Sequence, residues 1–247
     1  MRFPGYTAVE GIDLSVAPGT FLSVVGPSGC GKSTLLNMAA GLMSPSAGRI
    51  EIFGQPLEGV NRKAGYMFQQ DALLPWKTVL GNILLGPVFA GVAGGKAEAE
   101  AREWIRRVGL ERFSHHYPHQ LSGGMRKRVA MAQTWINDPE IIFMDEPFGA
   151  LDLHTRMRME GEILKLWAET KKTVVFVTHD LEEAIALSDE VVVLTAGPAS
   201  RICGRYPVNL KRPRNPMDIK TEPEFSAVYR SIWRDLRGEV LKSYERE

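Results

Sequence analysis

The sequence predicts an α/β fold: a parallel sheet, a small antiparallel β piece, and a helical insertion. Three observations predict it. Four short β-branched runs, Phe21–Val25, Ile141–Met144, Thr173–Val177 and Val191–Leu194, read as buried strands. Amphipathic helical stretches separate the later ones, as parallel strands require. The first three strands run directly into polar or glycine-bearing loops, where α/β sheets place their ligands. With 247 residues, 44% of them hydrophobic, the chain can build a core that needs no staples.

The first strand leads into Gly26-Pro27-Ser28-Gly29-Cys30-Gly31-Lys32-Ser33-Thr34, which fills the pattern G-x-x-x-x-G-K-[ST]. Small residues let such a loop bend round an anion with its N–H groups inward, and a helix starting at Lys32 adds its positive end. Lys32 can reach β and γ phosphates, and the Ser33 hydroxyl can ligate Mg²⁺. The loop therefore reads as a nucleotide site. Gly48–Gly54 alternates between glycines and suits a small antiparallel piece.

From Asp71 to about Pro139 the strand pattern disappears. Glu98–Val108 predicts one amphipathic helix, and a second begins near Ser122 with Met125, Val129, Ala132 and Ile136 on one face. Residues 71–138 are thus expected as a helical subdomain interrupting a nucleotide-binding core of 1–70 and 139–197. Leu121-Ser-Gly-Gly124 at that helix start is a second backbone-rich anion cradle, capped by Ser122. A single phosphate site needs only one such loop, so this one suggests service to another molecule's nucleotide.

The strand at Ile141 ends in two carboxylates. Side chains alternate along a strand, so Asp145 and Glu146 divide their work: the first holds Mg²⁺ through water, the second orients or deprotonates an attacking water. Met159, Ile163, Leu166 and Trp167 line one face of the next helix, with Lys171 and Lys172 at its end. Residues 198–247 form a tail, broken first by Pro198, Pro207, Pro213 and Pro216. Thr221–Glu224 predicts a capping box before a helix bearing Phe225, Val228, Tyr229, Ile232, Leu236 and Val240 on one side.

A net charge of +1 sets up no strong field for nucleic acid. Cys30 and Cys203 offer no disulfide framework or metal spacing, and Cys30 inside the loop argues for a reducing compartment. The start, MRFPGYTAVE, has no secretory pattern, and the uncharged stretch 78–95 is broken by Asn82, Pro87 and glycines, so a soluble cytosolic chain is expected. His115-His-Tyr-Pro-His119 has no cysteine or carboxylate cluster beside it and reads as a loop.

In order, GPSGCGKST, GYMFQQ, LSGGM, IIFMDEP, GALD and VTHD resemble the motifs of the ATP-binding subunit of an ABC transporter, and the likeness reaches both ends of the chain. The resemblance implies a P-loop NTPase (RecA-like) core with the ABC signature on the helical insertion, all within one ABC ATPase domain. It implies ATP and Mg²⁺, the metal held by Ser33, Gln69 and Asp145. Gln69 would sense the γ-phosphate, Glu146 would be the catalytic base, Lys32 and His179 would act on the γ-phosphate, and Asp152 would make the contact across a dimer. Ser122, Gly123 and Gly124 would bind the partner's ATP, and Phe3 would stack on adenine. The signature departs from the usual pattern at Met125, where the family's Gln can bond ribose.

Within the family, YMFQQDALLPW, LSGGMRKRVAMAQ and DEPFGALD look most like importers of taurine, aliphatic sulfonates and nitrate. That likeness implies a homodimer closing across ATP, two membrane permease subunits received near Gln69–Trp76, and indirectly a periplasmic or extracellular substrate-binding protein. The location implied is the cytoplasmic face of a bacterial-type cell membrane. An exporter ATPase, or a soluble ABC ATPase acting on DNA or ribosomes, is the alternative; the second normally carries coiled-coil insertions or paired modules that this chain lacks.

Overall fold

In the computed structural model, which describes residues 1–245, the apolar runs pair into one six-stranded sheet. The chain opens with an antiparallel pair, β1 (Arg2–Phe3) and β2 (Tyr6–Thr7), then passes through β3 (Phe21–Val25) into α1 (Lys32–Ala39). A second antiparallel pair, β4 (Glu51–Ile52) and β5 (Gln55–Pro56), precedes β6 (Ala64–Met67). Four helices follow: α2 (Val79–Ile83), α3 (Leu85–Phe89), α4 (Gly94–Arg107) and α5 (Gly123–Trp135). The alternating part resumes with β7 (Ile141–Asp145), α6 (Leu153–Thr170), β8 (Thr173–Val177), α7 (Leu181–Leu187) and β9 (Glu190–Leu194), and ends with β10 (Ile202–Pro207) and α8 (Pro223–Tyr244).

The sheet order is β10-β9-β3-β8-β7-β6, parallel throughout except for β10. Strands β3, β7 and β8 are buried along their whole length, which is why they read as unbroken apolar runs: a parallel strand is covered on both faces. Two strands of this sheet were not expected from the sequence, nor was the β1–β2 pair. Ala64-Gly-Tyr-Met has weak strand propensity and is held by pairing with β7, Ala64 opposite Ile141 and Met67 opposite Met144. At the other edge, β10 contains Gly204 and ends at Pro207, as an edge strand tolerates.

The helix expected at 98–108 begins earlier, at Gly94, and buries Ala97, Ala101 and Ile105. Ser122 caps α5 as expected, its hydroxyl accepting from the Met125 N–H. Among the described residues no helix is long and apolar enough to cross a membrane. The stretch at 78–95 folds into α2, α3 and the start of α4, with buried Asn82 holding the loop before it through Leu74 N and the carbonyls of Leu74, Lys77 and Thr78.

The tail helix starts later than its expected capping box. Pro223, which has no N–H to lose, occupies the first turn, Glu222 is the cap residue, and the Thr221 hydroxyl donates to Asp218 O instead. Its apolar face is as expected: Phe225, Ile232 and Leu236 pack on Leu181 and Ile185 of α7. Buried Arg214 secures this layer by donating to the carbonyls of Ile185, Ser188, Val208 and Leu210.

On α6, Glu160 is fully buried and, among the described residues, neither carboxylate oxygen has a hydrogen-bond partner. Burial, then Glu183 and Asp180, push its pKa from 4.5 up to about 7, against the opposing pull of Lys220 and Arg156. The folded chain thus holds a proton that the unfolded chain has released, so stability falls as pH rises through that window. Glu160→Gln keeps the shape and removes the ionisation. It is predicted to raise stability by about 1–3 kcal/mol at pH 8.5, with the gain shrinking towards pH 5. Thermal unfolding of both proteins at the two pH values checks this; a gain independent of pH would contradict it.

Candidate active site

The loops after β3, β7 and β8, with the segment after β6, meet at the carboxyl edge of the sheet. Between β3 and α1 the loop turns at Gly31, whose φ of 93° suits glycine alone, and where a Cβ would lie 2.6 Å from Val9 Cγ1. Lys32 is almost fully buried and folds back over the loop, its Nζ donating to Gly26 O at 2.9 Å and Pro27 O at 3.0 Å. The Ser33 hydroxyl donates to Asp145 Oδ1 at 2.9 Å, which joins the first strand's loop to the end of β7. Burial pushes the Asp145 carboxyl above its ordinary value, while the Ser33 bond pulls it down and Glu146 beside it pushes it up again.

Glu146 leaves the strand with a φ of 43°, the left-handed region that side chains other than glycine rarely adopt. Its N–H still continues the ladder to Val177 O at 2.9 Å. The divergence of the two carboxylates therefore comes from this turn as well as from strand alternation. It brings Glu146 Oε2 to 3.1 Å from His179 Nδ1 and to 3.4 Å from Gln69 Nε2. Two residues distant in sequence, Gln69 and His179, thus converge on one oxygen atom of Glu146.

A cleft of about 380 Å³ opens here, within the range of small-molecule sites, with Ser28, Lys32, Ser33, Gln69 and Glu146 in its wall. Phe3 lines it from the β1–β2 hairpin, as does Tyr6, whose hydroxyl donates to Gly29 O at 3.2 Å. Sequence reasoning missed Tyr6; its spacing from Phe3 in a two-strand hairpin was the available signal. The donor set fits a phosphorylated ligand with a divalent cation. Gly29 and Gly31 both have positive φ in the phosphate loop, a lysine is at hand, and a hydroxyl touches a carboxylate.

Ser122, Gly123 and Gly124 are not part of this wall. They open α5, and as its first residues Gly123 and Gly124 present N–H groups that a helix leaves without internal partners. Gly124 sits against α6, where a Cβ would lie 2.5 Å from Thr155 Cγ2. Asp152 caps α6 through its Oδ1 to Thr155 N at 3.1 Å, and the Thr155 hydroxyl, then this backbone bond, hold the carboxyl below its ordinary value. Met125 is partly buried and packs against the helical core. Trp76 is 70% exposed. Among the three loop histidines, His116 meets the Phe113 ring edge-on and His119 stacks on Tyr117.

Comparison with known proteins agrees with this geometry. Residues 9–149 match the family model described as ABC transporter. An uncharacterized ABC transporter ATP-binding protein of Methanocaldococcus jannaschii is 48% identical over 96% of this chain and 86% of its own length. A taurine import ATP-binding protein of Yersinia pestis is 41% identical over 99% of this chain and 95% of its own. Among solved structures, a dimeric ATP-binding cassette in a post-hydrolysis state, bound to ADP and Pi, superposes with a TM-score of 0.73. It is 34% identical, covering 83% of this chain and 92% of that one. The chain belongs to the ABC transporter family and is one of its ATP-binding, ATP-hydrolysing cassettes.

Lys32→Ala removes a cation from the cleft wall and the bonds that fold the loop. Charge-assisted bonds contribute about 1.5–3 kcal/mol, so ATP affinity is predicted to fall roughly ten- to a hundredfold. A binding titration checks this, and unchanged affinity would contradict the placement of Lys32.

Proposed function

We propose that this chain powers an ABC importer for a small anion such as a sulfonate, taurine or nitrate. The observation that carries the catalytic part is the meeting of Gln69 and His179 on Glu146, beside the Ser33–Asp145 pair. The importer part is supported by relatives named as taurine import ATP-binding proteins.

In the proposed reaction Glu146 accepts a proton from a water that attacks the γ-phosphate in line. Gln69, within reach of the same carboxylate, orients that water, and His179 stabilises the charge spreading over the γ-phosphate. Lys32 contributes a cation, and the loop's N–H groups bind the phosphates. Ser33, Asp145 and Gln69 would hold Mg²⁺, which when bound offsets charge on the β and γ phosphates. Phe3 stacks on adenine from the hairpin.

Two copies close across two ATP molecules, each held between one chain's phosphate loop and the partner's Ser122–Gly124, with Asp152 contacting across the interface. The absence of Ser122–Gly124 from the wall of their own chain's cleft supports this arrangement. Residues 71–138 act as a helical subdomain beside the core of 1–70 and 139–197, with 198–247 as a tail. Exposed Trp76 belongs to the surface that receives two permease subunits at the cytoplasmic face of the membrane. A substrate-binding protein outside delivers the cargo.

Glu146→Gln keeps the shape of the site and cannot accept a proton. It is predicted to bind ATP but lose about a hundredfold or more of turnover. With Mg-ATP the variant should pass from monomer to dimer, because the trapped nucleotide is part of the interface. Adding Ser122→Trp should abolish the dimer and spare ATP binding. Size-exclusion chromatography with light scattering checks this; a dimer indifferent to ATP or to Ser122 would contradict the shared site.

A further inference from the structure

Lys127 lies in the first turns of α5, just after the signature, and its side chain is only 4% exposed. An ammonium has three donors and no acceptor, and burying it costs several kcal/mol unless each donor finds a partner. Among the described residues its partners all lie in one short stretch, residues 68–71. Nζ donates to Gln69 O at 2.6 Å and to Phe68 O at 3.4 Å. It also lies 3.0 Å from Asp71 Oδ1, an ion pair without the alignment of a hydrogen bond. The neighbouring Arg126 holds the other Asp71 oxygen, Nε to Oδ2 at 3.0 Å, and reaches back to Leu121 O at 2.8 Å.

The loop that follows β6 is therefore fastened to the helix that begins at the signature. The carbonyl of Gln69 is gripped by Lys127 while its side-chain amide faces Glu146. If the loop withdrew by a few ångströms, a buried charge would lose all its partners at once. The loop and the helix start can separate only at that cost.

We propose that Lys127 is the positioning residue of Gln69, and that with Asp71 and Arg126 it makes the Gln69 loop and the start of α5 one rigid unit. This rests on the reading of Gln69 as the γ-phosphate sensor and of Ser122–Gly124 as the cradle for the partner's nucleotide. A polar chain from Leu121 O through Arg126, Asp71, Lys127 and Gln69 to Glu146 is the physical link between them.

The test is steady-state ATP hydrolysis by the full chain, with variants that separate positioning from packing. Lys127→Met, of similar length and able to pack, should lower kcat about tenfold and leave KM for ATP within about twofold. Lys127→Gln, whose amide still donates to Gln69 O, should recover most of that loss. In a Gln69→Ala background Lys127→Met should cost nothing further, because the residue it positions is gone. Should Lys127→Met not fold, Asp71→Asn carries the same cycle with a smaller loss. Unchanged kcat, or losses that add independently of Gln69, would overturn the proposal while leaving the hydrolytic reading intact. An unaltered chain that hydrolyses no ATP would overturn both.

Discussion

Glu146 leaves the end of β7 in a left-handed conformation that costs a non-glycine residue about 1–3 kcal/mol, and the fold over-determines it. On one side its N–H is tied to Val177 of β8; on the other, Asp145 is tied to Ser33 of the phosphate loop. The strand order makes both ties possible, because β8 lies between β3 and β7. Loops from three strands therefore open at one edge, and the turn at Glu146 aims a carboxylate at His179 and Gln69. Without that turn the chain would keep a phosphate cradle and lose the group proposed to act on water.

Much of this was legible in the sequence because the strands concerned are buried on both faces. Such strands leave apolar runs, and the loops after them leave glycines and charges: Phe21–Val25 before the phosphate loop, Thr173–Val177 before His179. The edge strands were illegible for the complementary reason. Ala64–Met67 and Ile202–Pro207 take their conformation from a neighbour, and their own residues argue weakly for it. The start of the tail helix was misread because Thr221 and Glu224 had the spacing of a capping box, whereas Pro223 decides where a helix can begin.

Other features depend on contacts that no local pattern encodes. Lys127 reads as one more polar residue on an amphipathic helix until its ammonium is found against the backbone of Gln69. Tyr6, exposed in the folded chain, carries no sequence pattern that marks the bond from its hydroxyl to Gly29 O. Arg214 sits in a tail broken by prolines, yet it binds carbonyls from α7 and from the chain after β10, so α7 and the tail share one packed layer.

In the proposed arrangement each ATP is served by two chains. Mixing two variants tests it most directly: Lys32→Ala, which damages the phosphate loop, and Ser122→Trp, which damages the signature. A mixed dimer has one site with both lesions and one with neither. Each variant alone should hydrolyse almost no ATP, and the mixture should recover activity through the intact site. A mixture no more active than its components would contradict the shared site.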